Sequence, residues 1–182
     1  MKKKGFTLVE LLAVIAILAI LVIIALPNVM GMFNQAKKNS FTTELQDIYN
    51  AAVQQRIADS LGTTGQNVYA RLGSDDDDGG VTSKELDLSG RKSLRYAIVF
   101  NKAGAVTYYV ATDGSYIFGY SGSGLEIDEI ADGGEKTSDD AGMAFTDGKV
   151  YTISDFEKLD AVITLDGDTS AATANAKIEL SD

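Results

Sequence analysis

Residues 8–26 carry a single charge, Glu10, in an otherwise apolar run. That length is close to the ~20 residues that cross a bilayer as a helix. Lys2, Lys3 and Lys4 precede the run, separated from it by Gly5, Phe6 and Thr7. Lysines on that side hold the N-terminus in the cytoplasm and send the following chain outward. A carboxylate within such a span costs ~2.5–3.5 kcal/mol, so Glu10 reads as functional. Two simpler readings compete. A secretory signal peptide has a basic start and an apolar stretch, but this run is long for one, and no small-x-small site ends it. A plain membrane anchor accounts for the lysines and the run, but for neither Glu10 nor the order Gly5-Phe6-Thr7-Leu8.

The segment Gly5-Phe6-Thr7-Leu8-Val9-Glu10 resembles the cleavage and methylation motif of type IV prepilins and their secretion-system relatives, the pseudopilins. The resemblance implies that a prepilin peptidase cuts after Gly5 and methylates the new N-terminus at Phe6. It places the family's intramembrane glutamate on Glu10 and its helix-bending proline on Pro27, with Gly31 weakening the same region. It also implies residues 1–5 as leader, 6–27 as transmembrane or filament-core helix, 28–61 as the amphipathic half of that helix, and 62–182 as a β-rich head. The expected fold is α+β, a long helix packed on an antiparallel sheet as in type IV pilins. Expected partners are further copies of the chain in a helical filament, the peptidase, a pilus assembly platform, minor pilins and, before assembly, the membrane. Gram-negative members often close a C-terminal loop with a disulfide; this chain has no cysteine, which leans toward a Gram-positive source.

Composition narrows the chemistry. Formal net charge is −10, from 16 basic and 26 acidic residues. Removing Lys2, Lys3 and Lys4 takes 16 to 13 and the balance to −13, which argues against a nucleic-acid-binding surface. There is no histidine, so the commonest general base and metal ligand is missing. No phosphate-binding glycine loop, zinc spacing or nucleophile elbow occurs. Neither catalysis nor a cofactor is expected. Carboxylates in Asp75-Asp76-Asp77-Asp78 and in Asp166-Gly167-Asp168 are calcium-ligand types, but neither has the spacing of a strong site, and a solvated loop and a turn are the expected readings.

Along the chain, Val29, Met32, Phe33, Ala36, Phe41, Leu45, Ile48, Ala52, Ile57 and Leu61 recur at helical steps after Pro27, which predicts one buried face on a helix running from about residue 6 to 60. Pro27 should kink or locally melt that helix, and in a filament hydrogen bonding is expected to be lost between Pro27 and Gly31. Gly62 and Gly65 suit a helix stop. Residues 67–93 read as a long connection. Leu94, Tyr96, Ile98 and Phe100 alternate as one strand face, followed by Val106, Tyr108 and Val110 against Thr107 and Tyr109. Asp113-Gly114 marks a hairpin turn into a third strand at 115–120. Residues 121–134 read as irregular. A second hairpin is expected from 143–146 and 149–153 around Asp147-Gly148, then a short helix with Ser154 as N-cap and Glu157 in a capping box. Strands are expected at 161–165 and 176–180.

Three functions fit this reading: a pilin, a pseudopilin of a secretion or DNA-uptake machine, and an anchored enzyme or receptor. The long acidic head favours the pilin over the pseudopilin. The missing histidine and motifs weigh against the third.

Overall fold

The computed structural model describes residues 6–61, 67–88, 93–122, 124–132, 147–156, 158–167 and 174–181. A single helix, α1 (Leu8–Ser60), comes first. Among the described residues the strands are β1 (Val68–Arg71), β2 (Arg95–Phe100), β3 (Val106–Thr112), β4 (Tyr116–Ser121), β5 (Ala131–Asp132), β6 (Asp147–Thr152), β7 (Asp160–Asp166) and β8 (Asn175–Ser181). The fold is α+β, as the helix-then-strands order predicts. The chain divides into two units, Met1–Lys37 and Lys38–Asp182, with the boundary inside α1.

In the first unit α1 is assigned as helix without a break through Pro27, so the helix does not end there. Every large apolar side chain from Leu8 to Phe33 is exposed, Val29, Met32 and Phe33 included. A helix apolar on all sides needs a nonaqueous surrounding, because packing on one face cannot cover it.

In the second unit α1 behaves differently. Phe41, Leu45, Ile48 and Ala52 are fully buried, at steps of four, three and four. They meet Tyr96, Ile98, Phe100, Tyr109 and Phe118 of the sheet in one core. Phe41 stacks on Tyr116 at 5.8 Å, and the buried Tyr109 hydroxyl donates to the Leu45 carbonyl at 2.8 Å. The expected stripe is shorter than its periodicity suggested. Ile57 and Leu61 are 56% and 86% exposed. Continuing the steps from Ala52 leads instead to Arg56 and Asp59, which make polar ties. Arg56 donates to Asn67 and the Asn101 carbonyl. Asp59 accepts from Lys84 and Tyr69. The Lys84 hydrogen bond, reinforced by Tyr69 and Gln55, holds the Asp59 carboxyl below the usual range against the effect of burial. A carboxyl lowered in the folded state contributes stability at neutral pH that is lost as pH falls through its folded value. The glycines expected to stop the helix, Gly62 and Gly65, lie outside the described residues.

The main sheet has the order β1-β2-β3-β4-β6-β5, antiparallel except for the β5–β6 pair. The meander β2-β3-β4 is as expected, and its turn is built by Asp113, whose Oδ1 accepts from the Ser115 and Tyr116 amides at 2.9 Å. Leu94, Tyr96, Ile98 and Phe100 do share the helix-side face. The alternation in β3 is inverted partway. Register slips between Val99 and Phe100, so Val106, Tyr109 and Ala111 face the helix side while Val110 and Tyr108 face the other. One extra residue flips every side chain beyond it, which is why Tyr109 does not group with Thr107.

Three further expectations are corrected. The connection 67–93 contains β1, paired antiparallel with β2. Asp147-Gly148 is no hairpin turn: β6 lies between β4 and β5, and Gly148, at φ 74°, is the extra residue where register shifts opposite Gly119 and Tyr120. The expected partner at 143–146 lies outside the described residues. The short helix near Ser154 is a 3-10 turn, Ile153–Phe156, with Ser154 inside it; Glu157 lies outside the described residues.

β7 and β8 form a separate antiparallel hairpin. Its buried face, Ala161, Ile163, Leu165, Ala176 and Ile178, covers Ala97, Val99, Val110 and Ile117 on the main sheet's second face. The main sheet is therefore the middle of three layers, which explains the almost continuous burial of β2.

Candidate processing and assembly site

The N-terminal segment holds the residues singled out for processing and assembly. Gly5 lies outside the described residues. Phe6 and Thr7 are non-helical and exposed, and α1 begins at Leu8. Thr7 sets that start. The Thr7 amide and hydroxyl both donate to Glu10 Oε2, at 2.8 and 2.7 Å, while the Glu10 amide donates to Thr7 Oγ1 at 3.3 Å. This reciprocal pair is a capping box, satisfying amides that a helix start leaves without intrahelical partners. The reading of Glu10 as an isolated intramembrane charge missed it, although the spacing Thr7-x-x-Glu10 stands in the sequence. Both of these hydrogen bonds to the carboxylate fall on Oε2, and among the described residues none falls on Oε1.

Residues 8–26 would rise about 28 Å as helix, near the ~30 Å hydrocarbon thickness of a bilayer. Further along, Pro27 has no amide to offer the Ile23 carbonyl. A Cβ built on Gly31 would meet nothing within 4 Å, so packing within one copy does not require glycine there. The Lys37 ammonium lies 4.6 Å from the centre of the Phe33 ring, a cation on the aromatic face at the end of the apolar segment.

The acidic run considered for calcium has another role. The Asp76 side chain is fully buried and pairs with Arg95 at 2.9 Å. It also accepts from the Ile163 amide at 2.8 Å and the Gly73 amide at 2.8 Å. Asp77 bridges β7 through its backbone, with Asp77 N to Ile163 O at 3.0 Å and Leu165 N to Asp77 O at 2.8 Å. Gly79 must lack a side chain, because its Cβ would sit 2.1 Å from the Leu165 carbonyl oxygen. The run is thus a latch between β2 and β7, not simply a solvated loop. Asp77 and Asp78 turn their carboxylates onto the amides of Gly79 and Gly80. Asp166 ends β7, and Asp168 lies outside the described residues. With the Asp76, Asp77 and Asp78 carboxylates already engaged by Arg95 and by amides, calcium is expected to leave the thermal midpoint of the chain unchanged. A large rise on adding calcium, removed by Asp76→Ala or Asp166→Ala, would contradict that expectation.

Residues 1–26 match the family model described as the prokaryotic N-terminal methylation motif. The chain carries the type IV prepilin-like signal, which supports a pilin-like or pseudopilin-like protein and indicates a structural subunit. The motif implies processing by a prepilin peptidase and filament assembly, and together with the apolar helix it supports membrane anchoring. Comparison with curated proteins gives no match, and comparison with solved structures gives none.

Proposed function

We propose that the chain is the main structural subunit of a type IV pilus and not an enzyme. It is inserted with its N-terminus in the cytoplasm, cut after Gly5, methylated at Phe6, and polymerised into an extracellular filament serving adhesion, motility or biofilm. One observation carries the reading: the helix behind the methylation motif exposes large apolar side chains on all sides. Each such side chain gains about 1.5–3 kcal/mol by leaving water. Lipid covers them before assembly and the helices of neighbouring copies afterward, so extraction from the bilayer is favourable only with assembly. Gly31 suits this scheme, since a glycine not required within one copy permits close approach by another. Local loss of helix at Pro27 and Gly31 would belong to the assembled state.

The Phe6 amine created by cutting is a partner for Glu10, and the capping box is compatible with it. Oε2 holds the helix start while Oε1 faces the amine of a neighbouring copy. The pairing neutralises two charges in an apolar core and fixes the step between subunits.

The same N-terminus serves pseudopilins of secretion and DNA-uptake machines, and filament abundance separates the readings. Cells expressing the chain are expected to carry long surface filaments labelled by antibodies to the head, and a Gly5→Val variant is expected to remain uncut and give none. Secretion or DNA uptake that depends on the chain without long filaments would favour the pseudopilin instead.

A further inference from the structure

Among the described residues the outer edges of β1 and β7 are covered, and β5, at the far end of the main sheet, is only two residues long. The outer edge of β1 receives residue 84, through Ala70 N to Lys84 O and Lys84 N to Val68 O, both at 3.1 Å. The outer edge of β7 receives Asp77. β8 pairs with β7 alone, and no hydrogen bond reaches its other edge among the described residues. The strand has no proline and its register with β7 has no slip. Such an edge is a template for another strand.

The backbone direction at this edge follows from the latch on β7. Ile163 and Leu165 direct their backbone groups away from β8, onto Asp76 and Asp77. Val162 and Thr164 therefore face β8, and their partners Glu179 and Lys177 spend their backbone groups on β7. Alternation leaves the amides and carbonyls of Ala176, Ile178 and Leu180 on the open edge. Ala176 and Ile178 are buried on the hairpin's inner face, whereas Lys177 and Glu179 are exposed on its outer face.

We propose that β8 pairs antiparallel with β8 of a second copy of this chain, about a two-fold axis at Ile178. In that register Ile178 faces Ile178 and Ala176 faces Leu180 as hydrogen-bonded pairs. Lys177 then faces Glu179 of the second copy, twice, at the non-hydrogen-bonded positions where side chains approach closest. A lone lysine would only guard the edge against pairing. A lysine and a glutamate placed symmetrically about the centre make the edge complementary to itself, as an isologous contact requires. The two hairpins become one four-stranded sheet. An isologous contact is not the head-to-tail kind that repeats along a helical filament. If the pilus reading holds, it joins heads of neighbouring filaments side by side.

The contact is tested on the full chain in detergent, independently of filament formation. The natural chain has no cysteine. Differently tagged Lys177→Cys and Glu179→Cys chains are mixed and mildly oxidised. Opposed Cα atoms at a non-hydrogen-bonded pair lie about 4.5 Å apart, within disulfide range. Two copies of residue 177 would lie about 8 Å apart, beyond it. The mixed disulfide is expected at least about fivefold above either homodisulfide. Statistical proportions, or no disulfide, overturn the proposal. Without cysteines, Lys177→Glu is expected to weaken self-association measured by sedimentation about tenfold, and Lys177→Glu with Glu179→Lys to restore it. Failure of the double exchange to restore association also overturns the proposal.

Discussion

Replacing Glu10 with alanine is expected to leave a subunit that is inserted and cut yet builds about a hundredfold fewer filaments. Removing one partner of a buried ion pair costs about 3–5 kcal/mol, because the other charge stays behind, and each ~1.4 kcal/mol is tenfold in an association constant. Here the stranded charge would be the Phe6 amine of a neighbouring copy. The capping box adds a second loss, since alanine also removes the acceptor for Thr7. Two variants separate these effects. Thr7→Ala removes the hydroxyl but keeps the carboxylate, and a lost cap costs only about 0.5–2 kcal/mol; it should assemble at a reduced but substantial level. Glu10→Gln keeps an acceptor for the cap and loses the charge, and should fail nearly as badly as alanine. Cleavage and filament yield are scored in the same cells. Wild-type yield from cleaved Glu10→Ala would exclude the pairing. An uncut Glu10→Ala chain would assign Glu10 to peptidase recognition.

The second large effect lies in the head. Asp76→Ala is expected to destabilise it by about 3 kcal/mol, while Asp75→Ala changes stability by less than about 0.5 kcal/mol. The neighbours look alike in sequence, but Asp75 is exposed whereas the Asp76 side chain is fully buried. Alanine at 76 leaves the Ile163 and Gly73 amides without their acceptor and strips one carboxylate from Arg95, which keeps Asp160 at 2.6 Å and the Ala161 carbonyl at 2.8 Å. Hydrogen exchange should show where the loss falls: amides of β7, Ile163 above all, should exchange faster, while those of β3 and β4 change less. Equal effects of the two substitutions would contradict the latch.

The parts legible in the sequence are those whose signal is local. The apolar run, the even alternation in β2, β7 and β8, and the Asp113-Gly114 turn each announce themselves within a few residues. β1 does not, because four residues are too few to establish a period and its pairing depends on β2 more than twenty residues ahead. The bulges at β2–β3 and β4–β6 hide for different reasons. The first inverts the phase of β3, so alternation puts Tyr109 on the wrong face; at the second, Asp147-Gly148 carries a positive-φ glycine that serves a bulge as well as a turn. Asp76 was hidden among like neighbours, and its partners Arg95 and Ile163 are distant in sequence. The periodic stripe continues to Ile57 and Leu61 although both are exposed, because periodicity does not show where a helix leaves the sheet it covers. At the N-terminus the signal is local but has two meanings. Thr7 and Glu10 stand at capping-box spacing, and the same Glu10 is the one charge in an apolar run, so it caps its own helix as well as carrying charge there.

The most direct test is mass spectrometry of intact subunits from purified surface filaments. The predicted result is a chain that begins at Phe6 and carries one methyl group on its terminal amine. Assembled subunits that retain Met1, or filaments that lack this chain, would contradict the account.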